Sequence, residues 1–301
     1  MKQPAGGGPT RSGFVALAGR PNVGKSTLVN AIVGRKVAIV SDKPQTTRRA
    51  IRGVASAPDR QLVLVDLPGV QRPRDALTTR MQRRVERELE DCDAALLVVD
   101  AEQGVGPGDR FIASLLAGRG VPVVVAVNKV DRLDRPRTVL ALQAAAELEV
   151  GDDIFPVSAR TGRGVDALVE HLGSLLPEGP FFFEPEEASD QPRDVLLAEL
   201  IREQVLRRTF QEVPHSVEVV LEDVEHPRDD LHVVRALVWV EAESQKGILI
   251  GHGGRMIKAI GTAARRELER ELGTRVHLDL SVRVRRAWRA DDALLDRLGI
   301  E

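Results

Sequence analysis

The stretch that decides the fold is Gly19-Arg20-Pro21-Asn22-Val23-Gly24-Lys25-Ser26. Its glycines, lysine and hydroxyl have the spacing of a phosphate-binding loop. A strand-like apolar run, residues 14–18, precedes it, and residues 26–33 carry apolar side chains at helical intervals. The backbone N–H groups of such a loop, together with the N-terminus of the following helix, bind phosphate oxygens. A glycine-rich turn that carries Lys-Ser by coincidence is the alternative, and the strand–loop–helix order argues against it.

Each residue of this loop therefore has a predicted role toward a nucleotide. Lys25 reaches the β- and γ-phosphates, and the Ser26 hydroxyl binds Mg²⁺. The predicted contacts of the loop are Gly19, Arg20, Pro21, Asn22, Val23, Gly24, Lys25, Ser26 and Thr27.

Length and composition narrow the possibilities. The 301 residues suggest two domains. A net charge of −2 argues neither for nor against RNA. A single cysteine, Cys92, excludes an internal disulfide framework and a Cys-based metal site, and it predicts a cytosolic protein with a structural thiol. No apolar run is as long as a membrane span, and the Gly- and Pro-rich residues 1–12 predict a disordered leader.

Two further loops complete a predicted phosphate and metal site. The polar segment 44–49, Pro-Gln-Thr-Thr-Arg-Arg, supplies Thr47, a candidate to sense the γ-phosphate and to ligate Mg²⁺. Asp66 ends the apolar run 62–65, where it would face the phosphates and hold Mg²⁺ through a water, and the Gly69 N–H can meet the γ-phosphate. The predicted metal ligands are Ser26, Thr47 and Asp66.

A third signal predicts recognition of guanine. Asn128-Lys129-Val130-Asp131 follows the apolar run 121–127. The ionised Asp131 carboxylate accepts hydrogen bonds only, so it pairs with N1–H and the 2-amino group of guanine, a donor pair that adenine lacks. Lys129 can lie along the base, and Asn128 can connect this loop to the phosphate loop. In Ser158-Ala159-Arg160, the Ala159 N–H can donate to guanine O6.

The alternation of apolar runs with helical segments predicts a mostly parallel sheet with helices on both faces, an α/β domain over residues 13–180. Residues 181–192 are rich in Pro, Glu and Phe and predict a linker. Residues 193–301 then give the order helix-strand-strand-helix-loop-helix-strand, with a strand predicted over 215–221. The loop, Gly251-His252-Gly253-Gly254, has the G-x-x-G form that clamps single-stranded RNA in KH domains.

Charge supports an RNA surface near that loop. Residues 212–243 contain nine acids and two Arg, whereas residues 246–289 contain eleven Lys or Arg and four acids. Such a basic segment is the expected footprint of phosphate binding, although a solvated face with helix ion pairs would look similar. The predicted RNA contacts are Lys246, Gly247, Ile250, Gly251, His252, Gly253, Gly254, Arg255, Lys258, Arg283 and Arg285.

The ordered set GRPNVGKS, PQTTR, DLPG, NKVD and SAR, followed by SQKGILIGHGG and VRVRRAWR, resembles the bacterial Era family over nearly the whole chain. The resemblance implies a GTPase domain followed by a type II KH domain. It also implies GTP and GDP as ligands, small-subunit ribosomal RNA near its 3′ end as partner, a part in 30S assembly, and some peripheral membrane contact. It implies a monomer and no DNA partner. One departure is Leu67, where the family usually has threonine.

Hydrolysis in this chain lacks the water-orienting glutamine of Ras-type GTPases, because Val70 occupies that position. The predicted catalytic contacts are Lys25, Thr47, Gly69 and Asn22. Asn22 resembles the asparagine with which several glutamine-lacking GTPases ligate K⁺, and the alternative is that it only braces the loop.

Two other functions are alternatives to a GTPase that acts in 30S assembly. One is a GTP-gated RNA-binding switch in which hydrolysis is incidental. The other, a membrane-trafficking GTPase, requires a lipidation signal, and residues 298–301 offer none.

Overall fold

The computed structural model describes residues 9–43, 46–70, 75–210 and 213–300. Residues 1–8 of the predicted leader, Pro44 and Gln45 of the threonine loop, and Glu301 lie outside the described residues. None of the helices in these described ranges combines the length and the apolar character that a membrane span requires.

The first part of the chain forms a six-stranded sheet in the order β2-β3-β1-β4-β5-β6. All neighbouring strands are parallel except β2 and β3, which are antiparallel. This confirms the predicted mostly parallel sheet. The strands are β1 (Arg11–Ala18), β2 (Ile51–Ser56), β3 (Arg60–Asp66), β4 (Ala94–Asp100), β5 (Val123–Asn128) and β6 (Asp153–Pro156).

Helices cover both faces of this sheet, since alternate strand residues point to opposite sides and both sides are apolar. The helices are α1 (Lys25–Val33), α2 (Ala76–Glu90), α3 (Pro107–Ala117), α4 (Arg135–Ala146) and α5 (Val165–Leu175). One core lies under α1 and α5, and a second lies under α2, α3 and α4. Val70 and Leu67 are buried in the second core, where they pack as apolar residues.

The predicted leader extends too far. Arg11 and Ser12 belong to β1 and pair with β3 at Arg60 and Gln61. The Ser12 hydroxyl donates to the Pro180 carbonyl at 2.6 Å, so this end of the strand is fixed by the far end of the same domain. The leader is predicted from a Gly- and Pro-rich composition, and composition gives no information about hydrogen bonds to distant residues.

The second part is an α+β domain that contains the predicted order of helices and strands, together with two short helices that the sequence does not predict, α7 and α10. Its sheet is β7-β8-β9, with β7 antiparallel and β9 parallel to β8. Helices α6, α8 and α9 pack on this sheet around one apolar core. The elements are α6 (Arg193–Leu206), α7 (Val213–Ser216), β7 (Glu218–Arg228), β8 (Leu231–Val240), α8 (Glu243–Ile250), α9 (Arg255–Leu272), β9 (Arg275–Val284) and α10 (Asp292–Arg297).

The strand predicted from His215 begins instead at Glu218, because α7 occupies the preceding residues. Pro214 has a fixed φ suited to the first turn of a helix and lacks the N–H that a sheet ladder needs. The apolar alternation of residues 217–221 predicts a strand, but it carries no information about the helical turn that Pro214 favours.

The two parts share an interface. The predicted linker runs beside the edge strand β2, where the Val54 N–H donates to Ala188 O at 2.8 Å. On another side, Leu77 and Met81 of α2 form a buried cluster with Trp288 and Leu295. Ile39, which follows α1, is buried in the core of the second domain. Elements next to the phosphate loop are thus packed against the second domain.

Candidate nucleotide and RNA sites

The phosphate loop is positioned by the join between β1 and α1. Gly24 has φ +100°, and a Cβ there would lie 2.4 Å from Asn128 Nδ2, so glycine is required. The buried Lys25 amine donates to the carbonyls of Gly19 and Arg20 at 3.1 and 3.2 Å. The lysine is therefore held within the loop, and α1 begins at this same residue. This geometry offers helix N–H groups and a cation to a phosphate chain.

The three predicted metal ligands come together. Ser26 Oγ lies 2.5 Å from Asp66 Oδ2 and 3.1 Å from Thr47 Oγ1, and Thr47 Oγ1 lies 3.4 Å from the same carboxylate oxygen. Asp66 is fully buried at the end of β3, and its Oδ1 accepts no hydrogen bond from the described residues. A hard-oxygen set of two hydroxyls and a carboxylate suits Mg²⁺, so these residues fit that ion.

Burial raises the pKa of Asp66, whereas the charge of Lys25 and the hydrogen bonds from Ser26 and Thr47 act to lower it. Burial likewise lowers the pKa of Lys25, and Asp66 opposes that shift. A divalent cation beside Asp66 would favour the ionised carboxylate. Gly69 lies close to the phosphate loop, because a Cβ there would be 2.9 Å from Pro21 Cγ.

The predicted base loop joins the phosphate loop through Asn128. The Asn128 amide donates to Val23 O at 2.9 Å and its Oδ1 accepts from the Ala159 N–H at 3.0 Å. The Ala159 N–H thus bonds Asn128 here, and its role toward guanine O6 stays a prediction. Lys129, in the left-handed region at φ 69°, donates to the Asn22 carbonyl at 2.7 Å.

Asp131 is held as an acceptor. The Ser158 hydroxyl donates to its Oδ1 at 2.7 Å, and the Arg160 guanidinium lies 2.9 Å from Oδ2. The hydrogen bond from Ser158, and then the charge of Arg160, keep the pKa of Asp131 below its usual value. An ionised carboxylate presented in this way has the chemistry to bind the N1–H and 2-amino donors of guanine.

Sequence reasoning missed two acids that fix these loops. Asp100, fully buried at the end of β4, lies 2.6 Å from the Lys129 amine. Asp109, fully buried in α3, lies 2.7 Å from Arg20 Nε. Asp100 could have been found, because it ends an apolar strand and therefore shares the carboxyl edge of the sheet with Asp66 and Asn128.

Asn22 is exposed and has φ 66°. Its Nδ2 donates to the Asp42 carbonyl at 2.7 Å, which connects the phosphate loop to the segment that leads to Thr47. Donation through nitrogen leaves the side-chain oxygen as the atom that a cation could bind.

The G-x-x-G loop lies between α8 and α9. Gly253 and Gly254 have φ of 59° and 74°, and a Cβ at either would meet no atom within 4 Å. Gly251 is different, since a Cβ there would lie 2.8 Å from Met256 Cβ. Ile248 and Ile250 of α8 are exposed apolar residues beside the loop.

The predicted basic contacts lie near this loop, on β9 or just after β9. Arg255, Lys258, Arg283 and Arg285 are exposed, and Lys246 is half-buried. Arg255 Nε donates to the His252 carbonyl at 3.3 Å. The Arg285 guanidinium lies 5.3 Å from the centre of the Trp239 ring. This arginine is therefore exposed and also packs against Trp239.

Fold and site define a GTP-hydrolysing P-loop protein that carries a C-terminal KH domain. The family described as "50S ribosome-binding GTPase" matches residues 14–129, and the KH domain family matches residues 212–289. The GTPase Era of Mycobacterium avium (strain 104) is 47% identical over 295 residues, which covers 96% of this chain and 98% of that protein. This chain belongs to the Era family of GTPases.

Solved structures agree with the assignment. Era in complex with MgGDPNP and nucleotides 1506–1542 of 16S ribosomal RNA is 35% identical, with a TM-score of 0.92, over 97% of this chain and 99% of that chain. A point variant of Aquifex aeolicus Era bound to GDP·AlF4⁻ gives a TM-score of 0.91 at 35% identity over the same shares. The ligands in those two Era structures, MgGDPNP and GDP·AlF4⁻, are of the class that the sequence predicts for this site.

Proposed function

We propose that this GTPase binds small-subunit ribosomal RNA near its 3′ end and acts in assembly of the 30S subunit. The observation that carries the proposal is the Gly253-Gly254 turn, where a Cβ at either residue would meet no atom within 4 Å, so that a phosphate backbone can approach. The complex of a 35% identical Era with 16S ribosomal RNA supports the choice of partner.

The surface around the turn favours a single-stranded RNA. Arg255 and Lys258 on α9 supply charge for phosphates, and Ile248 and Ile250 on α8 supply an apolar surface for bases. Phe and Tyr do not occur in residues 213–300. Bases are then held by apolar contacts and edge hydrogen bonds more than by aromatic stacking.

Replacement of Gly253 and Gly254 together by Asp tests this proposal. Two carboxylates against the RNA backbone should weaken binding of the 3′-end RNA by about 100-fold at moderate salt, because charge repulsion replaces close approach. Aspartate tolerates positive φ better than most residues, so the fold should survive. The measurement is a fluorescence titration of labelled RNA, with GTP affinity measured in parallel.

The matched control is the double replacement Gly118→Asp and Gly120→Asp in the loop after α3. A Cβ at either glycine also meets no atom within 4 Å, and the charge change is the same. RNA affinity should be unchanged in the control. If the first variant retains RNA binding, the RNA surface lies elsewhere.

Turnover separates this function from a switch in which hydrolysis is incidental. A GTPase whose hydrolysis serves assembly should turn over GTP faster when the 3′-end RNA or precursor particles are added. A rate that stays constant while RNA binds would favour the switch.

We also propose that Asn22 ligates K⁺ beside the phosphates. The Asn22 Nδ2 donates to the backbone carbonyl of Asp42, and the Lys129 amine donates to the backbone carbonyl of Asn22, so neither bond uses the side-chain oxygen of Asn22. A cation there would offset charge that develops between the β- and γ-phosphates, a task that an arginine performs in other GTPases.

Turnover in K⁺ and in Na⁺ at equal ionic strength tests the cation. We expect wild-type hydrolysis to be faster in K⁺ by on the order of tenfold, and Asn22→Ala to lose this difference while it retains nucleotide affinity. Equal wild-type rates in both salts would reject the K⁺ site and leave Asn22 as a brace for the loop.

The proposal extends to the setting of the protein. Resemblance to the family supports a cytoplasmic monomer without a DNA partner, with peripheral contact to the inner face of the cell membrane. Sedimentation of the purified chain with anionic vesicles, with and without GTP, would test the membrane contact.

A further inference from the structure

Thr47 is held from both sides by the second domain. On one side, Arg202 of α6 donates through Nη2 to the carbonyl of Thr46. On the other side, the Arg48 side chain is fully buried between the domains. These contacts join residues more than 150 positions apart in sequence.

Arg48 is fixed by acceptors that all belong to the second domain. Its Nη1 donates to the Val217 carbonyl at 2.6 Å and to Glu218 Oε2 at 2.7 Å. Its Nη2 donates to the carbonyls of Pro214 and His215 at 3.4 and 3.0 Å. A guanidinium with this many acceptors has little freedom to move.

Oppositely charged groups of the two domains are paired in this interface. Burial lowers the pKa of Arg48 to about 10, so the side chain remains a cation at neutral pH. Burial raises the pKa of Glu218, but the charges of Arg49, Arg48 and Arg202 outweigh it and bring the value to about 2. Loss of one partner would leave a buried charge uncompensated, at a large cost in free energy. The paired charges therefore resist rearrangement.

We propose that Arg202 and Glu218 are positioning residues for GTP hydrolysis: they hold the backbone on both sides of Thr47 and so place its hydroxyl beside Ser26 and Asp66. The inference rests on the predicted role of Thr47 at the Mg²⁺ and γ-phosphate site, and it does not involve RNA. The second domain then completes the GTPase site of the first.

The Thr47 hydroxyl must be placed to better than about 1 Å. Thr47 Oγ1 lies 3.1 Å from Ser26 Oγ and 3.4 Å from Asp66 Oδ2. A displacement of about 1 Å at such a site costs on the order of 100-fold in rate. GDP has no γ-phosphate, so its affinity should depend little on Thr47.

The test uses the full chain with Arg202→Met, which removes the donor to Thr46 while Glu199 keeps Arg49 as a partner at 3.0 Å. We expect kcat at saturating Mg·GTP to fall by about ten- to 100-fold, with KM and GDP affinity within about twofold of wild type. Arg202→Lys retains a donor and should recover part of the rate. If Arg202→Met does not fold, Glu218→Gln, which keeps the shape and weakens the hold on Arg48, should show the same pattern.

The matched control is Lys36→Met. Lys36 also joins the domains, at 2.6 Å from Glu203 and 3.6 Å from Glu267, and neither of these ion pairs involves residues 46–48. Its kcat should equal that of wild type. An equal loss of kcat in Lys36→Met and Arg202→Met would overturn the proposal in favour of general loosening of the interface, and so would a wild-type kcat in Arg202→Met.

A double-mutant cycle with Thr47→Ala separates positioning from other effects. If Arg202 acts through Thr47, Arg202→Met should lower kcat in the wild type and have little further effect in Thr47→Ala. Additive losses would show that Arg202 acts by another route. A wild-type rate in Thr47→Ala alone would remove the role of Thr47, and the positioning proposal with it.

Discussion

Asp131→Asn should change the preferred nucleotide from GTP to xanthosine triphosphate. The carboxylate can accept from both N1–H and the 2-amino group of guanine, whereas the Asn amide presents a donor to one of them. Hydrogen bonds to a charged group contribute about 1.5–3 kcal/mol each, so GTP affinity should fall on the order of 1,000-fold. Xanthine carries an oxygen acceptor at position 2 and should bind better than it does to wild type. Titrations with both nucleotides measure the change.

The control for this switch is Asp134→Asn, three residues further along. Asp134 caps α4 by accepting from the Arg137 N–H at 2.9 Å, and Asn caps helices as well as Asp does. The charge change is the same, and GTP affinity should not move. Unchanged GTP affinity in Asp131→Asn would exclude the base-reading role.

Local sequence patterns predict which residues meet at the candidate nucleotide site, because these residues lie at the carboxyl ends of parallel strands in one sheet. Asp66 and Asn128 each end an apolar run, and the topology of a parallel sheet brings such residues to one edge. Glycine is required at position 24 because Asn128 approaches it closely, in agreement with the predicted connection between these two loops. For these residues, a place at the end of an apolar run is enough to predict a place at the carboxyl edge of the sheet.

The sequence could not predict the interface between the domains. Arg48 looks like a solvated residue of a polar loop, yet it is fully buried against Glu218. Its partners lie far along the chain, and the periodicity of a helix or a strand gives no information about such a distant contact. Trp288 lies in the second domain, yet its buried cluster includes Leu77 and Met81 of the first. The helix α10, which also packs there, has no strong local signal.

These contacts change how the two-domain organisation is understood. A linker between independent domains would leave the Thr47 segment free to adopt its own conformations. Here Thr46 and Arg48 are bound to the second domain, and α2, which follows Gly69, packs against α10. The two segments predicted to contact the γ-phosphate, at Thr47 and Gly69, are thus adjacent to the KH domain, which gives a physical route by which a nucleotide and a ligand of the KH domain can affect each other.

Asp66→Asn should nearly abolish hydrolysis while GDP binding persists. The carboxylate accepts from Ser26 and Thr47 and is the sole acid of the three predicted metal ligands, so its loss removes the charge that holds Mg²⁺. Electrostatic groups of this kind are worth about 100- to 1,000-fold in kcat, and we expect a loss in that range together with a higher Mg²⁺ requirement. Rates over a Mg²⁺ titration measure both effects.

Stability must be separated from catalysis in this variant. Asp66 lies near the buried Lys25, and removal of one partner of a buried pair can cost about 3–5 kcal/mol. Lys25 keeps its bonds to the carbonyls of Gly19 and Arg20, so the folded state should remain populated, and a thermal melt with GDP and EDTA tests this point. The control Asp59→Asn, on the exposed turn before β3, makes the same charge change and should leave the rate unchanged. If Asp66→Asn hydrolyses GTP with the wild-type Mg²⁺ dependence, Asp66 does not hold the metal, and Ser26 and Thr47 lose their assignment with it.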